Sequence, residues 1–171
     1  MIASSILTLE RVLGLTALSG ASLTSSANGD VYYSAGCVVV RYHPQSNKQL
    51  GFFTAVKSVS CAVVSACGRY LAVGERGHQP CVCVFSIENG RMLTRLAGHK
   101  HGVGCVSFSP NGRYLVSCGF KHDKTMQFWD WQDEDILHSR DEKDSSNEKD
   151  QRDLATEPAS TKPLFINKIG N

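Results

Sequence analysis

Apolar residues in this chain come in short alternating runs, each closed by a cluster of turn-forming residues. Val103-Gly-Cys-Val-Ser-Phe108 alternates and then meets Ser109-Pro-Asn-Gly-Arg113. That pattern predicts a strand and a turn, with Asn111-Gly112 favouring positive φ and a tight hairpin. Tyr114–Ser117 is the next strand, followed by a polar loop over 120–124 and a strand over Thr125–Asp130. The same order runs through Val59–Val64, a turn at 66–69, Tyr70–Val73, a long polar turn over Gly74–Pro80, and Cys81–Ser86. Met92–Leu96 supplies a fourth strand. A fainter copy lies upstream, with Ala21–Thr24, the turn Asn28-Gly-Asp30, Val31–Ser34, Cys37–Tyr42 and Gln49–Phe53. Nothing reads as a long amphipathic helix, and 7–15 reads at most as a short strand or turn leading in.

Two of these meanders are copies of one another. Val59–Ile87 aligns with Val103–Trp131 at an offset of 44 residues, without insertion. Identities include Val59/Val103, Cys61/Cys105, Gly68/Gly112, Tyr70/Tyr114 and Leu71/Leu115. Conservative pairs such as Phe85/Trp129 fill the gaps. A repeat of about 40–45 residues made of four short strands is the period of a β-propeller blade.

Charge divides the chain at Trp131. Residues 1–131 carry 12 Lys/Arg and 6 Asp/Glu, whereas 132–171 carry 6 and 10. Thirteen of the fourteen aromatics and all seven cysteines precede residue 132. The foldable part is therefore expected to end there, with 132–171 an acidic disordered tail. Basic residues in the body form no run, which argues against a nucleic-acid interface. No apolar stretch is long enough for a membrane helix and the N-terminus makes a poor secretion signal, so the expected location is cytoplasmic. The seven cysteines include no C-x-x-C. Cys81 and Cys83 share a strand face and read as small buried hydrophobes in preference to metal ligands. His99-Lys-His101 supplies two possible ligands without a third. No metal or other cofactor is expected.

Gly98-His99, then Phe108-Ser-Pro-Asn-Gly112, Asp123 and Trp129-Asp130 together resemble one WD40 repeat. The resemblance implies an all-β fold, a partial WD40 β-propeller of about three antiparallel four-stranded blades with the last incomplete. Blades are expected at about 21–54, 58–97 and 102–131, with 1–20 leading in. It also implies a hydrogen-bonded network among His99, Ser117, Asp123 and Trp129, with Gly98, Gly112 and Asp130 as the blade signature. That network satisfies buried polar groups, so the His/Ser/Asp set is read as structural and not as a hydrolase triad. The turn before Asp123 is two residues longer than usual in the family. The preceding blade has Ala55, Val73, Gln79 and Phe85 at the four network positions and is expected to rely on packing alone.

The long turns Gly74–Pro80 and Gly119–Asp123, with Leu9–Ala17, Ala35–Val40 and His99–Phe108, narrow the resemblance. They are similar to the N-terminal propellers of a WD40 group of mitogen-activated kinase scaffolds and spindle-pole proteins. The resemblance implies a non-enzymatic protein-interaction module, with stress-activated kinases or centrosomal and spindle proteins as partners. A ciliary or microtubule-associated relative is the related alternative. Lys162-Pro-Leu-Phe-Ile166 has the basic-then-apolar order of a kinase docking peptide, but one lysine is little basic character, and a terminal stub is expected. Seven blades would need about 310 residues. Fewer than three blades leave apolar faces open, so marginal stability alone or self-association is expected.

Overall fold

The computed structural model describes residues 9–16, 19–132, 160–161 and 163–168. The described residues form three sheets, each built on an antiparallel meander. A single 3-10 turn, Gly20–Ser22, precedes the first strand, with Ser19 capping it. The first sheet holds β1 (Leu23–Ser25), β2 (Val31–Ala35), β3 (Val38–His43) and β4 (Lys48–Thr54). The second holds β5 (Val59–Val64), β6 (Tyr70–Glu75), β7 (Cys81–Ser86) and β8 (Met92–Ala97). The third holds β9 (Val103–Phe108), β10 (Tyr114–Gly119) and β11 (Thr125–Asp130). Two further strands are β12 (Ser160–Thr161) and β13 (Phe165–Lys168).

The turns show why the chain reverses where it does. Gly112 has φ +75° and Gly68 has φ +70°, while Asn111 stays at negative φ. Each turn is therefore a five-residue connection with one left-handed glycine. The Ser109 hydroxyl accepts the Tyr114 N–H at 2.9 Å, and the Ser65 hydroxyl accepts the Tyr70 N–H at 3.0 Å.

The sheets stack face to face, and period-2 alternation sorts the side chains of the middle one. Leu71, Val73, Cys81, Cys83 and Phe85 point to the first sheet, where they meet Tyr32, Val39 and Phe53. Ala72, Val82, Val84 and Leu96 point the other way and meet Val103, Leu115, Trp129 and Trp131. A sheet covered on both faces has no solvated side, which is why Cys81–Phe85 is buried throughout. At the inner edge, the Ser60 hydroxyl lies 2.6 Å from the Val103 carbonyl oxygen and 3.0 Å from that of Gly74. The Ser22 hydroxyl in turn donates to the Ser60 carbonyl at 3.4 Å. Cys81 and Cys83 share the face turned to the first sheet and are buried.

Three expectations change. The strand expected to end at Val73 continues to Glu75, because Gly74 and Glu75 pair with β5. Residues 9–16 make no strand. Instead they lie along the first sheet, held by Gln49, whose amide bonds the Val12 N–H at 2.9 Å and the Val12 carbonyl at 2.8 Å.

The third change concerns the segment expected as a disordered tail. β13 pairs antiparallel with β11, from Thr125↔Lys168 to Phe128↔Phe165, and gives the third sheet the fourth strand it was expected to lack. β12 adds a two-residue parallel strand outside β8. Residues 163–166 thus run into a paired strand and are not a loose stub, while Lys162, the basic residue of the docking order, lies outside the described residues. The apolar residues of 163–166 suit a β edge, with Leu164 and Ile166 exposed. Most of the expected tail, 133–159, lies outside the described residues, as do 1–8 of the lead-in.

Candidate functional site

His99 sits just past β8, Ser117 in β10, Asp123 in the loop after β10, and Trp129 in β11. The structure brings all four together. His99 Nε2 is 2.8 Å from Ser117 Oγ, and His99 Nδ1 is 2.7 Å from Asp123 Oδ2. The Trp129 indole N–H donates to Ser117 Oγ at 2.9 Å. His99, Ser117 and Trp129 are each at most 3% exposed. Asp123 also accepts the Lys100 N–H at 3.3 Å, which ties the turn between sheets to the loop of the third sheet.

Proton bookkeeping fixes the tautomer. The Asp123 carboxylate only accepts, so the one proton of a neutral His99 is on Nδ1, and Ser117 Oγ, which accepts from Trp129, donates to the unprotonated Nε2. Burial pulls the His99 pKa below its ordinary value, and this outweighs the opposing pull of Asp123. A second proton on the ring would turn Nε2 into a donor and take away the acceptor of the Ser117 hydroxyl proton. The serine is spent on both sides and buried at 0% exposure, so it offers no nucleophile to solvent.

The signature positions lie around this network. A Cβ on Gly98 would run into the Gln127 side-chain amide, which explains the glycine. Asp130 accepts Arg113 Nε at 2.8 Å, and the Gly112 carbonyl accepts the Trp131 indole N–H at 2.9 Å.

The middle sheet does not rely on packing alone, contrary to the expectation. Glu75 is fully buried. Its Oε1 accepts the Val56 and Lys57 N–H groups at 3.0 and 3.1 Å, and its Oε2 accepts the Cys81 N–H at 3.1 Å. The Arg95 guanidinium is 3.6 Å away. Glu75 therefore holds the 55–57 turn as Asp123 holds Lys100. The repeat explains how. Position 75 corresponds to Gly119, where a Cβ would strike the Asp123 carboxylate. One site thus receives its carboxylate from the strand end in the second sheet and from the loop in the third. A lone glutamate in an otherwise apolar run, opposite a glycine in the repeat, is the sequence signal that could have found it.

The first sheet has its own buried acid at its other end. Asp30 accepts Arg41 Nε at 2.7 Å and lies 2.8 Å from His43 Nδ1. Burial pushes the Asp30 pKa up, but the bonds from His43 and Arg41 and the Arg41 charge outweigh it and hold it below 3.8.

A cavity of about 480 Å³ opens between the 55–57 and 98–100 turns, with Lys57, Arg95 and Lys100 on its wall. Among the described residues no group of three or more His, Cys, Asp or Glu comes together as a metal site. No described helix is long and apolar enough to cross a membrane.

Three stacked meander sheets, the second and third related by a 44-residue offset, with a His–Ser–Trp network joining turn to blade, have the form of propeller blades. Residues 90–130 match the family model described as WD domain, G-beta repeat, so that stretch carries a WD40 repeat. That stretch begins before β8 and ends with β11, so the sequence repeat straddles two blades. The chain is similar to WD repeat-containing protein 62 of Mus musculus, 44% identical over 100 residues, covering 57% of this chain and 7% of the relative. It is similar to mitogen-activated protein kinase-binding protein 1 of Mus musculus, 40% identical over 102 residues, 58% of this chain and 7% of the relative. Cilia- and flagella-associated protein 52 of Homo sapiens is 31% identical over 100 residues, 57% of this chain and 16% of the relative. The chain thus spans a small part of these relatives. Among solved structures, Kuenenia stuttgartiensis hydrazine synthase superposes with a TM-score of 0.56 at 16% identity, over 63% of this chain and 33% of that one. That likeness is of fold alone.

Proposed function

We propose that this chain acts as a non-enzymatic protein-interaction module whose partner is a stress-activated mitogen-activated protein kinase, in a cytoplasmic or cytoskeletal setting. The observation that carries the reading is the 40% identity to a relative named for kinase binding, over the stretch that builds the blades. The local chemistry supports a non-enzymatic role. The polar groups that could mimic a catalytic triad are buried and saturated by one another. What the blades offer to a partner is loops on a rigid β scaffold, the usual place for recognition. The resemblance to a spindle-pole paralogue and the 31% identity to a cilia- and flagella-associated protein support a cytoskeletal partner as the second reading.

The test is binding of the full 171-residue chain to purified Jun N-terminal kinase and, separately, to tubulin, by interferometry. Saturable kinase binding with a Kd of about 10 μM or tighter (roughly −7 kcal/mol) is expected. No kinase signal at about 100 μM overturns the reading, and tubulin binding alone replaces it with the cytoskeletal one.

A further inference from the structure

Cys105 and Cys118 are directly opposite one another on β9 and β10. Alternation puts them on the face of the third sheet turned away from the second, because Leu115, Ser117 and Trp129 take the other face. Cys105 is exposed and Cys118 half-buried, and both are free thiols. Directly opposed residues of an antiparallel pair have Cα atoms about 4.5–5.5 Å apart, inside the roughly 4.4–6.8 Å window of a disulfide. We infer that Cys105 and Cys118 form a dithiol modification site, which a low-molecular-weight disulfide such as oxidised glutathione converts to a cross-strand disulfide.

The repeat shows what is particular about this pair. The matching positions in the second sheet are Cys61 and Gly74, where no second thiol exists. Val103 of the third sheet covers both. Burial there raises the Cys61 thiol to about 12 and leaves it inert. Among the described residues nothing covers Cys105 in the same way. Burial, with the neighbouring Cys105 thiol adding to it, raises Cys118 to about 11. Cys118 is therefore the thiol that keeps its proton at neutral pH. The facing surfaces of the pair are Val116, Ser107, Met126 and Phe128, none of them charged.

The chemistry balances in two exchanges. The Cys105 thiolate attacks one sulfur of glutathione disulfide, forming a mixed disulfide and releasing one glutathione thiolate. Cys118 then gives its proton to that thiolate or to solvent and attacks the Cys105 sulfur. The second glutathione leaves, so two protein thiols are oxidised and one glutathione disulfide is reduced to two thiols.

The test is incubation of the intact chain with oxidised glutathione, alkylation, and tryptic mapping. Cleavage after Arg113 separates the two cysteines into peptides 101–113 and 114–121. The expected product joins these peptides, with two of the seven thiols lost. In urea the bridge should give way to the shorter loop Cys61–Cys67, whose closure costs less. Cys118→Ser should trap glutathione on Cys105, and Cys67→Ser should leave the bridge unchanged. Recovery of Cys105 and Cys118 as thiols or as separate adducts overturns the proposal. So does a bridge yield that is the same in urea.

Discussion

Each buried acid in this molecule has a small set of donors, and that makes single residues informative. His99 is neutral in the folded state because burial lowers its pKa. The unfolded chain then binds more protons than the folded one below pH 6.5. Stability contributed by this group is full above that pH and is lost as pH falls toward the lowered value. Thermal melts should therefore show Tm dropping between about pH 7 and pH 5, and His99→Gln should flatten that slope. Ser117→Ala removes the acceptor of the Trp129 indole and the donor to His99 together. It should cost about 1–3 kcal/mol, read as a lower urea midpoint. Glu75→Ala leaves three backbone N–H groups, that of Cys81 buried, and the Arg95 charge without their carboxylate. A loss of about 3–5 kcal/mol is expected, with Glu75→Gln losing less because an amide oxygen still accepts. Equal losses for Ala and Gln would remove the hydrogen-bonding account of Glu75.

At the scale of the strand and its neighbours, glycine sets how closely blades approach. A Cβ at Gly74 would meet Cys61 Sγ and would lie 2.8 Å from Val103 Cγ1, across the interface between the second and third sheets. Gly74→Ala should cost about 1–3 kcal/mol by overpacking, whereas Cys118→Gly at the matching site of the third sheet should cost less than about 1. Chemical denaturation of the two variants checks this, and equal costs would mean that the blade interface is not the cause. Strand positions were readable from sequence because alternation and turn residues agree. Val59–Val64, Cys81–Ser86, Val103–Phe108 and Thr125–Asp130 match residue for residue. The network in the third sheet was expected because Gly98-His99, Asp123 and Trp129-Asp130 resemble a WD40 repeat, and that resemblance implies it. Glu75 was not, because its role depends on a side chain entering from the strand where the repeat uses the loop. β13 was hidden for a different reason. Its four residues carry no alternation of their own, and pairing with the far-off β11 creates the strand.

For the molecule as a whole, stacking of three blades leaves sheets that are unequal in cover. The second is enclosed on both faces, while the third keeps Val116, Cys118, Met126 and Phe128 partly exposed on its outer face. Its outer edge is closed by β13, whose N-terminal approach is fixed by the Leu164 N–H donating to the Phe128 carbonyl at 2.8 Å. An edge strand with unpaired N–H and C=O groups beside an apolar face is a template for pairing with another chain. Removing 160–171 strips β13 from β11 and β12 from β8 at once. The shortened chain should self-associate, and sedimentation velocity should show dimers or larger species at concentrations where the full chain sediments as a smaller particle. Adding Phe128→Lys to the shortened chain places a charge on the bare strand and should suppress that association. If the shortened chain sediments unchanged, β13 is not what protects the edge. If Phe128→Lys fails to suppress association, the pairing runs through another surface.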